Sequence, residues 1–151
     1  MIAHRTSGYK NDCAIHSMLS CKFPKFLQLP LSIKNQIANT FRRTTMVSYI
    51  STHYKSTLKD AYASSNPLRE EDLKPLATYF SVGIFVYAPK HVSAWIHGRK
   101  EGGKLQPKNV IFLYTNNHYE AVSKNGRFIF TAEEIESLEK NAFEQIKHML
   151  K

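Results

Sequence analysis

Two apolar runs, VGIFVYA at 82–88 and NVIFLYT at 109–115, set the tightest limit on what this 151-residue chain can fold into. Each is short and rich in β-branched and aromatic residues, the composition of a strand buried in the middle of a sheet. Around them the pattern is weaker but still strand-like. VSAWIH at 92–97 alternates, HGRKEGGKLQPKN reads as a charged glycine-rich loop, and HYEAVSKNGRFIF carries an Asn-Gly pair at 125–126, the strongest short-range hairpin signal.

The first half of the chain has a different period. After Cys13, Ala14, Met18 and Cys21 share one helical face, as do Ile15 and Leu19, and Asp12 stands in the N-cap position. Pro24 and Pro30 break that helix. From Ser32 to Leu58 the residues Ile33, Ile37, Phe41, Val47, Ile50 and Tyr54 recur at mostly three- and four-residue spacing. Asn66 and Pro67 then signal a new helix start, with Glu70, Glu71 and Asp72 in its first turn and Leu68, Leu73, Leu76, Ala77 and Phe80 on its apolar side. Thr131 and Glu134 form a capping-box pair before a helix predicted to reach the C-terminus. Helices first and strands later, with hairpin chemistry, predict one α+β domain over 1–151 with a small central sheet.

Charge narrows the function classes. The net charge of +9 suggests an anionic partner, but KFPK, FRR, HGRK and EGGK are scattered, and no zinc-finger spacing, RNP-like motif or phosphate-binding glycine loop accompanies them. Nucleic acid is therefore disfavoured as the ligand. No apolar run approaches the ~18 residues of a membrane span, and the first residues lack the apolar core of a secretory signal. Cys13 and Cys21 would lie ~12 Å apart on one helix, beyond disulfide reach. A reducing, cytoplasmic setting is expected.

The chemistry centres on SGYKNDCAIHSML at 7–19, where a turn-forming run ends at Cys13 and a helix begins on it. A cysteine opening a helix is often only a small buried residue. The same position, at unpaired N–H groups and the positive dipole end, also favours the nucleophilic thiolate form. N–H groups of Lys10, Asn11, Asp12 and Cys13 are candidates for an oxyanion hole. The matching base is expected at the end of a core strand, and VIFLYTNNHYEAV puts His118 there. A third group should orient the imidazole. Glu120 shares a face with His118 if the segment is a strand, with Asn116 and Asn117 as alternatives.

The order of these signals resembles the ovarian-tumour (OTU) family of papain-like cysteine deubiquitinases. The likeness rests on YKNDCAIHSML, EEDLKPLATYFSVGIFVYAPK and VIFLYTNNHYEAV, and spans about residues 8 to 124. It implies an OTU-type fold, a small central antiparallel or mixed sheet flanked by helices. It also implies Cys13 as nucleophile, His118 as general base, Glu120 as the orienting residue and Tyr119 as the aromatic after the histidine. HVSAWIHGRKEGGKLQP would replace the loop that helps hold ubiquitin, with Trp95 as a substrate contact. The family's Asp-Gly-x-Cys loop is here Lys10-Asn11-Asp12-Cys13, so the aspartate is adjacent to the cysteine. Such divergence suits a viral or bacterial effector acting in the host cytosol. A Josephin-type deubiquitinase, matching CAIHSML, ranks second, and a non-catalytic ubiquitin- or RNA-binding module is the reading from another class. On the first reading the partner is ubiquitin, a ubiquitin chain or a ubiquitin-like protein, the protein is a monomer, and the chemistry needs neither cofactor nor metal.

Overall fold

A computed structural model describes residues 1–54, 56–97, 100–101, 104–105 and 109–149. It contains strands β1 (Ile2–His4), β2 (Gly83–Tyr87), β3 (Ala94–Ile96), β4 (Lys100–Glu101), β5 (Lys104–Leu105), β6 (Val110–Thr115), β7 (Tyr119–Ser123), β8 (Ile129–Phe130) and β9 (Lys147–Met149). The helices are α1 (Cys13–Lys22), α2 (Leu31–Thr40), α3 (Val47–His53), α4 (Ser56–Ala63), α5 (Lys74–Phe80), α6 (Ala132–Glu136) and α7 (Lys140–Glu144). A π-helical turn, Phe41–Met46, joins α2 to α3.

The two apolar runs lie side by side as the parallel pair β2–β6, with Ile84 opposite Ile111. The main sheet runs β3-β2-β6-β7-β1-β9 and is mixed: β2–β6 and β1–β9 are parallel, the other pairs antiparallel. Alternation sends successive side chains to opposite faces. Ile84, Val86, Ile111, Leu113 and Ala121 join α1 in one core cluster. Phe85, Val110, Phe112 and Val122 join Phe130, Ile135 and Ile146 in another. The expected architecture, a central sheet flanked by helices, is what the chain adopts. Helix α1 is buried continuously from Ala14 to Cys21, which explains why its apolar stripe is wider than one face.

Several local expectations fail for identifiable reasons. The helix predicted from Asn66 begins only at Lys74, because 70–72 form a tighter turn in which Asp72 accepts the Arg69 N–H at 2.9 Å. The Asn-Gly turn forms, with Asn125 and Gly126 at φ 53° and 75° and Lys124 bridged to Arg127. Its second arm, β8, pairs with the start of β6 (Val110 opposite Phe130) rather than with β7, which pairs with the other end of β6 and with β1. The capping box at Thr131 and Glu134 is present, but its helix stops at Glu136. The last described segment is strand β9 beside β1, where Lys147 N–H donates to Met1 O at 3.1 Å and the preceding Ile146 enters the core.

Candidate active site

The candidate catalytic residues lie where α1 begins and where β7 begins. Before α1, Tyr9–Asn11 form a tight turn in which Lys10 and Asn11 both take left-handed conformations, φ 55° and 59°. Asp12 occupies the N-cap position and its carbonyl accepts the His16 N–H at 2.9 Å, yet its carboxylate does not cap the helix. Instead Oδ1 accepts from Arg42 Nη1 at 3.0 Å and Oδ2 from Arg43 Nη1 at 2.9 Å. Two guanidinium partners inside the protein outcompete the helix N–H groups for a buried carboxylate.

Cys13 opens the helix half-buried, whereas Cys21 is fully enclosed and burial pushes its thiol well up. Across from Cys13, β6 and β7 are joined by the corner Asn116-Asn117-His118, with Asn117 left-handed at φ 64°. Tyr119 N–H, the first of β7, donates to Cys13 Sγ at 3.4 Å. His118 Nε2 lies 2.9 Å from Thr6 O, so that nitrogen carries the proton and donates it. The same N–H also reaches Thr6 Oγ1 at 3.1 Å, an acceptor there because its own proton goes to Tyr119 O at 2.7 Å. With Nε2 committed to Thr6, Nδ1 is the nitrogen left for Cys13. The neighbouring Cys13 side chain is the main reason His118 is held above the ordinary imidazole range, against the opposing effect of burial. Cys13 and His118 open onto a cavity of about 610 Å³ that Gly8, Tyr119, Glu70 and Glu71 also line.

The structure brings Cys13 and His118 to one cavity but does not bring Glu120 to the imidazole. Glu120 does not reach His118: its Oε1 accepts from His148 Nδ1 at 2.7 Å. The two-residue spacing fails because His118 sits in the corner, where the left-handed Asn117 re-aims it, and only Tyr119 onward is strand. Asn116 uses its N–H on His118 O at 3.3 Å, and Asn117 lines the cavity; Nε2 goes to neither. Thr6 takes the orienting place, and nothing in HRTSGYK marks it, because the contact is made across 112 positions.

The oxyanion expectation changes too. The N–H groups of Asn11 and Asp12 donate to Gly8 O at 3.0 Å and Tyr9 O at 3.1 Å, so neither faces the thiol's open side in this conformation. Cys13's own N–H, in the first turn where helical N–H groups lack intrahelical partners, stays a candidate donor. Trp95 packs on Phe85, ring centroids 5.1 Å apart, in the cluster on the sheet face away from α1, so it is not brought to Cys13. Of the segment expected to act as the ubiquitin-holding loop, 98–99, 102–103 and 106–107 lie outside the described residues.

Neither a protein-family model nor a curated protein matches this sequence. Solved structures do. An ovarian tumour (OTU) domain in complex with ubiquitin superposes with a TM-score of 0.54 at 13% identity, covering 85% of this chain and 73% of that one. The OTU domain of OTUD1 superposes with a TM-score of 0.50, also at 13% identity, covering 76% of this chain and 80% of that one. At this identity the likeness concerns architecture, and it agrees with the mixed sheet and flanking helices derived above: the chain has an OTU-like fold.

Proposed function

We propose that this protein is a cysteine-dependent deubiquitinase of OTU type, hydrolysing the isopeptide bond after the C-terminal Gly-Gly of ubiquitin or a ubiquitin-like modifier. The observation that carries this reading is the pairing of a half-buried Cys13 with a His118 whose far nitrogen is fixed by Thr6, both open to one cavity. His118 Nδ1 accepts the thiol proton, and Sγ attacks the carbonyl carbon. The imidazolium then protonates the departing lysine amine, leaving a thioester. Neutral His118 next takes a proton from water, whose oxygen attacks the thioester and releases the carboxylate and the thiol.

Glu70 and Glu71 on the cavity rim supply negative charge where the arginines of ubiquitin's tail would pass, offsetting the protein's overall basic surface. A second reading, a domain that holds ubiquitin without turning it over, is favoured by one feature: the engaged Asn11 and Asp12 N–H groups supply no oxyanion donors in this conformation.

The test is labelling by a ubiquitin C-terminal electrophile, comparing wild type with Cys13→Ala, Cys21→Ala and His118→Ala. The protease reading requires labelling that vanishes with Cys13→Ala, survives Cys21→Ala and drops sharply with His118→Ala. Folded wild type that binds ubiquitin but takes no label from it, or from ubiquitin-like probes, moves the assignment to the holding module.

A further inference from the structure

Arg42 is a fully enclosed guanidinium in the interior. It donates to five acceptors: Nε to Tyr62 O at 3.1 Å, Nη1 to Asn11 O and Asp12 Oδ1 at 3.0 Å each, and Nη2 to Ala61 O at 3.0 Å and Asn66 O at 2.6 Å. Arg43, the next residue of the same π-helical turn, gives Nη1 to Asp12 Oδ2 and Asn39 Oδ1 and Nη2 to Lys10 O and Ser65 Oγ, the last two at 3.2 Å. Two consecutive arginines thus grip the carbonyls of two consecutive left-handed residues, and both carboxylate oxygens of the residue immediately before Cys13.

That distribution is informative. A buried cation needs acceptors from somewhere, and Tyr62, Ala61 and Asn66 would serve for stability alone. Lysine, unlike asparagine, leaves the left-handed region unless the surroundings hold it there, and such strain gathers at sites where a precise backbone path is used. Here the holding groups are Arg42 on Asn11 and Arg43 on Lys10. The π-helical turn is what places both side chains toward the same loop, a local irregularity of the kind often found at functional sites.

We propose that Arg42 and Arg43 are positioning residues, a clamp that keeps the Lys10–Asn11–Asp12 turn left-handed and so fixes the Cys13 thiol against His118 and the cavity. The inference rests on the reading of Cys13 as the nucleophile. The glycine of an Asp-Gly-x-Cys loop falls at Asn11, which tolerates the left-handed region; Lys10 beside it does not, and only a residue without a Cβ would adopt that part of the turn unaided.

Arg43 is the residue to change, since it is partly exposed and Arg42's removal would strand buried acceptors. Folded Arg43→Ala, Arg43→Lys, Lys10→Gly and the Lys10→Gly/Arg43→Ala double variant are each treated with the ubiquitin electrophile and, separately, with iodoacetamide followed by mass spectrometry. Fully buried Cys21 serves as an internal reporter of unfolding, because it is alkylated only if the core opens. Arg43→Ala should slow Cys13 labelling by about tenfold or more, the usual cost of misplacing a reacting group, while Cys21 stays protected. Arg43→Lys should fall between, keeping charge on Asp12 but losing the fork to Lys10 O. Lys10→Gly should restore much of the loss in the double variant.

Cys13 labelling at the wild-type rate in folded Arg43→Ala would overturn the clamp, as would a double variant no faster than Arg43→Ala. Slower labelling that always accompanies Cys21 alkylation would reduce Arg43 to a fold-stability residue. If wild type takes no ubiquitin label but Arg43→Ala still slows iodoacetamide at Cys13 with Cys21 protected, the clamp stands and the deubiquitinase reading falls.

Discussion

Replacing His16 with leucine should remove a defined part of this protein's acid sensitivity. His16 follows Cys13 by one turn of α1, is only 1% exposed and packs against Phe26 with ring centroids 5.7 Å apart. Its Nε2 has no hydrogen-bond partner among the described residues. Desolvation pulls its pKa down from 6.5 to about 4, with Lys34 and His118 adding to the fall and Asp12 opposing it. A histidine with a depressed folded pKa binds more protons when unfolded, so stability is lost as pH falls from about 6.5 toward about 4 and changes little on either side. Applying that linkage, the loss between about pH 7.5 and about pH 5 is about 2 kcal/mol, approaching about 3 kcal/mol below pH 4. For a domain of this size 2 kcal/mol corresponds to about 4–8 °C in melting temperature. Urea unfolding of wild type and His16→Leu at the two pH values measures it. His118, held up by Cys13, contributes with the opposite sign in both proteins and drops out of the difference. Wild type should lose about 2 kcal/mol more than the variant. Equal losses would mean that His16 is not a neutral buried imidazole, and the reasoning would be wrong.

Thr6→Val keeps the carbonyl that accepts from His118 but removes the hydroxyl, leaving Tyr119 O without its 2.7 Å donor. It should cost about 1–3 kcal/mol in urea unfolding and slow ubiquitin-probe labelling, with Thr6→Ser recovering both. Glu120→Gln should slow labelling far less than Thr6→Val, because its carboxylate pairs with His148; the opposite ranking would restore Glu120 as the orienting group. Gly126→Ala meets no atom within 4 Å but must hold φ 75°, so it should destabilise by about 1 kcal/mol through backbone strain alone, read as a lower urea midpoint with unchanged slope.

The sequence was readable wherever the controlling physics is local. Strands β2 and β6 follow from two apolar runs, the Asn125-Gly126 turn from two residues that accept positive φ, and the Thr131–Glu134 capping box from a three-residue spacing. Cys13 at a helix start and His118 after a strand are likewise statements about short segments, and both stand where they were expected. The failures around Cys13 and His118 involve a choice among partners far apart in sequence. Asp12 was free to cap its own helix, but the fold offered it Arg42 and Arg43, some thirty positions away. Glu120 was in register to serve His118 until the β6–β7 corner turned the imidazole toward Thr6 and left the carboxylate for His148. FRR at 41–43 looks like any basic stretch on a helix, and only the π-helical turn sends both arginines inward.

What the sequence by itself determined was the class of fold and the places of Cys13 at a helix start and His118 after a core strand, because periodicity, turn chemistry and helix-start signals act within a few residues. Tertiary structure alone decided that His118 Nε2 donates to Thr6 and that Arg42 and Arg43 bond the Lys10–Asp12 turn. Those contacts are settled by competition for hydrogen bonds among buried polar groups, and the competitors are known only once the chain has brought them together.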